Sequence, residues 1–404
     1  MAKTVQKKKP VSIGRIRNLI QQTAGDYYDF RLLAVILLLV CFGVIMLYST
    51  SAYTAELRES DDMFYFKKQT LISSVCLVLA VFLSFLDYHL LTKVSLLLYA
   101  GALGMMALVR WGPFGYESHG ARRWIKITRS LTIQPAEIAK IAVIVILAVF
   151  IARMGRKVRT IKALCILFLL GLVQAGAAYI LTDNLSTAII IAGITLGMIF
   201  VAHPDYKNFL ILAIVGSAGI FLFVSWIRKN VTVDSSTAFR LRRILVWLHP
   251  EDYASGDGYQ TLQALYAIGS GGFFGRGFGN SIQKLGSVPE AQNDFIFAII
   301  CEELGAFGGI LLLIVFAYLL YRLFFIAQNA PDVFGSMLVS GIFIHIALQV
   351  ILNISVVLNV VPNTGVTLPF ISYGGTSVLF LMTEMGIALS VARQIRFRQP
   401  KALI

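Results

Sequence analysis

Residues 287–309 read SVPEAQNDFIFAIICEELGAFGG. Three carboxylates sit where an apolar run begins: Asp294 at its mouth, with Glu302 and Glu303 further in. A carboxylate at a bilayer centre costs about 2.5–3.5 kcal/mol even on the lenient scale, so acids kept there need a use. At about 100° per residue, a helix starting near Asp294 puts Cys301 almost beneath it, Glu302 about 80° round and Glu303 roughly opposite. The three acids therefore do not form one cluster. Asp294 lies at the water boundary, where it faces the basic residues of the outer loops or simply caps the helix, as Asn293 could. Glu302 and Glu303 lie about 12–14 Å deeper along the axis and must face protein or water.

A second acid–base set lies in PAEIAKIAVIVILAVFIA, from Pro135, where Glu137 and Lys140 are three apart and share a helix face. Paired and turned inward, they either pin helix packing or line a polar cavity. Basic residues gather in two further segments. One reads WGPFGYESHGARRWIKITRSLTIQP and holds Arg122, Arg123, Lys126 and Arg129 against Glu117; the other holds Arg240, Arg242, Arg243, Arg276 and Lys284. Guanidinium forks match phosphate oxygens, so a phosphate-bearing ligand is one reading. Pairing with Glu251, Asp252 and Asp257, or contact with lipid headgroups, is the other. The string GSGGFFGRGFGN permits close backbone approach at Gly271 and Gly272, and its amides could cradle phosphate. It lacks the strand–turn–helix setting of a dinucleotide fold. Tyr259 to Ile268 has the apolar spacing of an amphipathic helix lying in the interface.

The elements that must position these residues are membrane helices. Hydrophobic residues make up 57% of the chain, where soluble domains sit near about 45–50%, and only a polytopic membrane protein accounts for the excess. Runs long enough to cross about 30 Å of hydrocarbon fall at 32–50, 69–86, 91–109, 136–153, 161–181, 185–202, 208–226, 294–321, 333–357 and 375–392. The expected fold is all-α, with about ten spans and a large loop at 227–293 between the seventh and eighth. Residues 1–30 form a basic tail, 31–393 the membrane domain and 394–404 a second tail. The first span follows a basic segment without a small-residue cleavage site, so it is expected to stay. The net charge is +14, concentrated near both termini and at 153–162, which places both termini in the cytoplasm. No nucleic-acid-reading module accompanies this charge. Cys41, Cys76, Cys165 and Cys301 fall inside apolar runs without zinc or disulfide spacing and read as small buried hydrophobes.

Five motifs, in order, carry a resemblance over nearly the whole chain: GARRWIKI at 120–127, QPAEIAKIA at 134–142, GYQTLQALYAIGSGG at 258–272, VPEAQNDFIFAIICEELG at 288–305 and PNTGVTLPFISYGGTS at 362–377. The chain resembles the SEDS family (FtsW, RodA and SpoVE proteins), bacterial membrane enzymes that polymerise peptidoglycan strands from lipid II. GNSIQK at 279–284 and TGVTLPFISYGG look more like the division and sporulation branch than the elongation branch. The resemblance implies an inverting glycosyltransferase in the bacterial cytoplasmic membrane, at the division septum or in sporulation. Its catalytic residue, acting as general base, would be Asp294, and Glu302 and Glu303 of the EELG motif would be structural or cavity-ordering. Its cavity and substrate groups would include Glu137, Lys140, Arg122, Arg123, Arg240, Arg242, Arg243, Lys284, Gly271 and Gly272, with Gln260 and Ser372 from the shared motifs. It implies a class B penicillin-binding transpeptidase and other divisome membrane proteins as partners, and no nucleic acid. No obligatory cofactor is expected, although Mg or Mn could assist; the metal identity is left open. Gln292 stands where the family often has His, NLSTA at 184–188 where many members have DLGTA, and Glu384 matches no family position. A lipid II flippase is the competing class. It would place its charge around a midplane site, whereas here charge and glycine gather in one loop.

Overall fold

A computed structural model describes residues 28–396 apart from 114, 119–120, 127–131, 204–205, 231–238, 257, 287 and 290. The basic tail before residue 28 and the segment after 396 lie outside it, as do Arg129, Asp257 and the side chain of Arg240. Among the described residues, ten helices are long and apolar enough to cross a membrane. They are α1 (Phe30–Glu59), α2 (Phe64–Ser84), α3 (Leu90–Trp111), α4 (Pro135–Met154), α5 (Ile161–Thr182), α6 (Leu185–Ala202), α7 (Tyr206–Asn230), α10 (Ile296–Asn329), α11 (Val333–Val357) and α12 (Gly375–Arg393). The chain is a multi-pass membrane protein, and ten crossings return it to the end where it started. That end is called proximal below, and the opposite end distal.

Short, capped turns join neighbouring helices. Asn184 accepts Thr187 N–H at 3.0 Å to start α6, and Asp332 accepts Gly335 N–H at 2.7 Å to start α11. Helix α4 is apolar all round except for Glu137 and Lys140, and it is correspondingly buried among α3, α5, α6 and α11. Its Ile144 seats against Gly341 of α11, where an added Cβ would meet Ile144 Cγ2 at 2.6 Å.

Two distal segments dip into the bundle rather than cover it. The first follows α9 (Tyr259–Gly271), which packs along the first half of α10 instead of lying alone in the interface. After α9 the glycine-rich chain meets α10 where that helix breaks, at Gly305 (φ 71°). The break frees backbone groups that the loop satisfies. Arg276 N–H donates to Glu302 O at 3.0 Å and Gly277 N–H to Glu303 O at 3.0 Å, while Ala306 and Phe307 N–H donate to the carbonyls of Gly272 and Phe273 at 2.9 and 3.0 Å. Backbone polar groups in an apolar setting must be paired in this way. The glycines are required by the approach: a Cβ on Gly271 would lie 2.0 Å from Cys301 O, and one on Gly275 2.2 Å from Glu303 O. The second dipping segment is 362–374. Its Leu368, Phe370 and Ile371 are buried, and it fits because α1 presents Gly43, where a Cβ would lie 2.6 Å from Phe370 O.

The helical architecture is as expected, and one small element adds to it. Among the described residues a small antiparallel sheet, β1 (Gly115–Ser118), β2 (Ala121–Lys126) and β3 (Thr132–Ile133), fills the segment between α3 and α4, with Gly115 opposite Ile125 and Ile125 opposite Ile133. The segment between α7 and α10 is not simple loop either, since it forms α8 (Phe239–Leu248) as well as α9. Cys76 and Cys301 are buried, but Cys41 and Cys165 are exposed on outward helix faces, so only two of the four pack as interior hydrophobes.

Candidate functional site

Asp294 sits on the distal turn that enters α10. The helix starts at Ile296 with Phe295 in the capping position, so Asp294 is not its cap. Two other segments fix the turn. Asn353 of α11 donates from one Nδ2 to the Asp294 carbonyl at 2.8 Å and to the Val366 carbonyl at 2.7 Å. That bridge holds the 362–374 segment against Asp294. At Gly365 (φ 66°), a Cβ would stand 3.6 Å from the Asp294 carboxylate oxygen Oδ2, and Asn363 Oδ1 receives Gly365 N–H at 3.2 Å. The half-buried carboxylate therefore faces a stretch of backbone that carries no side chain.

One layer deeper lies the predicted acid–base pair. Lys140 Nζ is 2.9 Å from Glu137 Oε2, with side-chain exposures of 2% and 11%, which puts the pair inside the protein rather than in lipid. Lys140 also reaches Gln349 Oε1 at 3.5 Å, and Gln349 Nε2 donates to Thr367 O at 3.1 Å. Gln349 and Asn353 are four apart on α11, so one helix face grips the ion pair, the 366–367 backbone and the Asp294 turn.

Arginines approach the same distal mouth from two elements. Arg243 of α8 donates to Asn363 O at 3.5 Å, beside Gly365. Arg123 of β2 donates to Asp183 O at 3.0 Å. Burial, and then the positive charge of nearby Arg243, hold the Arg123 guanidinium below its ordinary pKa, while Asp183 works the other way. Arg123 and Arg243 thus converge. Their neighbour Arg122 points to the other face of β2, as strand alternation requires, and its guanidinium is taken up by the carbonyls of Gly115, Arg110 and Gly112. Arg242 is half-buried on α8. Gln260 is a strut: its Nε2 donates to Pro289 O at 2.9 Å and its Oε1 accepts from Asn363 Nδ2 at 3.2 Å. Ser186 Oγ donates to Thr364 O, bringing the start of α6 to the same loop.

Several residues expected near substrate are placed elsewhere. Lys284 lies 2.8 Å from Glu303 Oε1 and 3.0 Å from Ser49 Oγ, closing a buried triad between α1 and α10. Glu303 also accepts from Ser49 Oγ at 2.6 Å. Glu302 accepts from Ser281 Oγ and from Ile282 N–H at 3.0 Å, with Arg276 at 3.8 Å. Both glutamates therefore hold the re-entrant loop. Gly271 presses its Cα against the Cys301 carbonyl, and Gly272 O accepts Ala306 N–H at 2.9 Å, so both meet the α10 backbone. Ser372 Oγ accepts Leu368 N–H at 2.8 Å inside its own loop. Among the described residues, no group of three or more His, Cys, Asp or Glu is arranged to hold a metal ion. The residues missed in the sequence are Gln349, Asn353, Asn363 and Gly365. The signal that could have found two of them is a pair of carboxamides at i and i+4 in an otherwise apolar helix.

These features define a polytopic membrane protein with a carboxylate at a helix mouth, a buried acid–base pair beneath it and arginines at its rim. The chain belongs to the FtsW/RodA/SpoVE family: the profile described as "Cell cycle protein" matches residues 30–397. It is 37% identical over 370 residues to stage V sporulation protein E of Bacillus subtilis (strain 168), covering 91% of this chain and 98% of that one. It is 34% identical over 381 residues to the probable peptidoglycan glycosyltransferase FtsW of the same organism, covering 93% of each. Among solved structures it matches a chain described under "Structural coordination of polymerization and crosslinking by a peptidoglycan synthase complex" with a TM-score of 0.74 at 26% identity, covering 91% of this chain and 98% of that one. It matches the rod shape determining protein RodA of Thermus thermophilus with a TM-score of 0.65 at 27% identity, covering 92% of this chain and 98% of that one.

Proposed function

We propose that this protein is a peptidoglycan glycosyltransferase that joins lipid II units at its distal, extracytoplasmic end, with both termini cytoplasmic. The observation that carries the reading is the seat of Asp294. It is a carboxylate at a helix mouth, held through its own backbone by Asn353 and facing the side-chain-free Gly365, so it stands ready for a substrate hydroxyl.

In this mechanism the acceptor's sugar hydroxyl attacks C1 of the donor's lipid-linked sugar. Asp294 takes the hydroxyl proton as the new C–O bond forms. The bond from C1 to the pyrophosphate oxygen breaks on the opposite face, and its electron pair leaves with undecaprenyl pyrophosphate, so the configuration inverts. Arg123, Arg242 and Arg243 at the rim meet the charge that grows on the leaving group. The Glu137–Lys140 pair keeps the pocket floor polar and fixed. The sequence branch favours work at the division septum or in sporulation, beside a class B penicillin-binding transpeptidase and other division proteins.

The test is incubation of the purified protein, with and without its cognate transpeptidase, with lipid II, reading glycan chain length on gels and lipid II movement across vesicles. Glycan chains support the reading. Movement across the bilayer without chains would replace it with a transporter.

A further inference from the structure

Helix α11 carries a buried polar stripe of which only the upper part serves the site described. His345, Gln349 and Asn353 fall at i, i+4 and i+8, one above another on a single face. All three are buried. Each side chain clasps an element that follows α11 in the chain. Asn353 binds the Val366 carbonyl at 2.7 Å, Gln349 binds Thr367 O at 3.1 Å, and His345 Nδ1 lies 2.8 and 2.9 Å from the two carboxylate oxygens of Glu384 in α12. The first two clasps also grip the Asp294 turn and Lys140. The third touches no other part of the site, and lies near the middle of both helices.

That position demands a reason. Two ionisable groups at mid-span are costly. His345 Nε2 is buried without a hydrogen-bond partner, so the pair is not optimised for stability. Elsewhere α12 rests mainly on α2, not on α11. Apolar contacts between helices are non-directional and tolerate rotation and sliding, whereas one buried polar clasp admits a single register. Holding register at a cost in stability is the best-attested use of a buried polar pair. We infer that His345 and Glu384 are positioning residues. They pin the rotation and height of α11 against α12, so that Gln349 and Asn353, one and two turns above, hold Lys140 and the Asp294 turn in the reactive arrangement.

This inference rests on the glycosyltransferase reading, and the experiment separates the two. Polymerisation of lipid II and thermal unfolding are measured for wild type, the double variant His345→Leu/Glu384→Leu and Glu384→Gln. The double variant removes both polar groups together, so it leaves no orphaned charge and is expected to melt at or above the wild-type temperature. Its kcat is expected to fall roughly 10- to 100-fold, because a displacement of about 1 Å at a reacting group is worth that much. Its KM should move less than about twofold, since nothing that touches substrate is changed. Glu384→Gln keeps an oxygen to accept from His345 and should recover most of the lost kcat. A stable double variant with wild-type kcat overturns the inference, as does Glu384→Gln as slow as the double variant. If the double variant cannot be obtained folded, Glu384→Leu replaces it, since it removes the acceptor and leaves a histidine that can stay neutral. A lowered kcat per folded molecule at unchanged KM supports the pin, and an unchanged kcat overturns it. A wild-type protein that makes no glycan defeats the glycosyltransferase reading itself, and the positioning role falls with it.

Discussion

Lys140 is among the largest fully buried side chains in the protein, and its ammonium is balanced by one carboxylate at 2.9 Å. Removing one member of such a pair strands the other in a low-dielectric interior. Lys140→Met should therefore cost about 3–5 kcal/mol of stability, read as a lowered melting temperature in detergent, and should depress turnover as the pocket floor rearranges. An unchanged melting temperature would show that the pair carries no structural weight. The pair was legible in sequence because an acid and a base three residues apart in an apolar run must be paired. Asp294 was legible because an acid at a helix mouth and its surrounding motif are both local. Gln349 and Asn353 were not, because two carboxamides four apart mark a polar helix face without saying what it will reach, and their partners lie 18 and 13 residues away in the 366–367 backbone. Arg122 and Arg123 looked equivalent in sequence. Only the formation of β2 sends them to opposite faces.

At the scale of elements, the site depends on two backbone insertions. Gly305 adopts φ 71°, and a Cβ there would stand 2.3 Å from Phe273 O. Gly305→Ala should strain the backbone and break the reciprocal bonding with the glycine loop, costing at least about 1–3 kcal/mol; thermal unfolding and proteolysis of the 272–286 loop would report it. Gly43→Ala acts on the other insertion. Its methyl group would push Phe370 O away and displace the segment that carries Gly365, so activity should fall roughly 10- to 100-fold with a smaller change in melting temperature. Wild-type turnover in Gly43→Ala would show that the loop has slack the packing does not suggest. The spans themselves were readable from hydropathy, since each must bridge the same hydrocarbon thickness. The density of glycines around residue 271 signalled a close approach. It could not say that the approaching group is the backbone of α10, because that contact is formed across about 30 residues of chain. The sheet and α8 were missed for a related reason: strands and helices of ten residues or fewer in a segment between spans leave too short a pattern to read.

At the scale of the whole molecule, the proximal end is fastened by a small ionic clamp. His89, in the turn between α2 and α3, has Nδ1 at 2.7 Å from Asp87 and Nε2 at 2.7 Å from Asp332, which begins α11. Gln394, beyond α12, donates to Asp87 at 3.0 Å. Burial pulls the His89 pKa down, but the hydrogen bonds to Asp87 and then Asp332 outweigh it and hold it above its ordinary 6.5. A raised histidine stabilises the fold fully below its unfolded value, and loses that contribution as pH rises through the higher folded value. Asp87 shows the reverse sign. Burial raises it, but the His89 backbone N–H and then the Gln394 and His89 side chains hold it below 3.8, so its contribution persists above that value and disappears as pH falls through the lower folded one. The melting temperature of the wild type should therefore decline as pH rises above about 6.5, and His89→Ala should flatten that limb. Equal slopes in the two proteins would remove the clamp from the account.

On the proposed function, Asp294 is the base of a polymerising enzyme. The most direct test of that role is the rate of glycan formation from lipid II by Asp294→Asn beside wild type, with both proteins shown to be folded and to bind lipid II. Asparagine keeps the size of the side chain but cannot take a proton. Wild type should form polymer, and the variant should be slower by roughly 10²- to 10⁴-fold. An Asp294→Asn protein that polymerises at the wild-type rate would contradict that role.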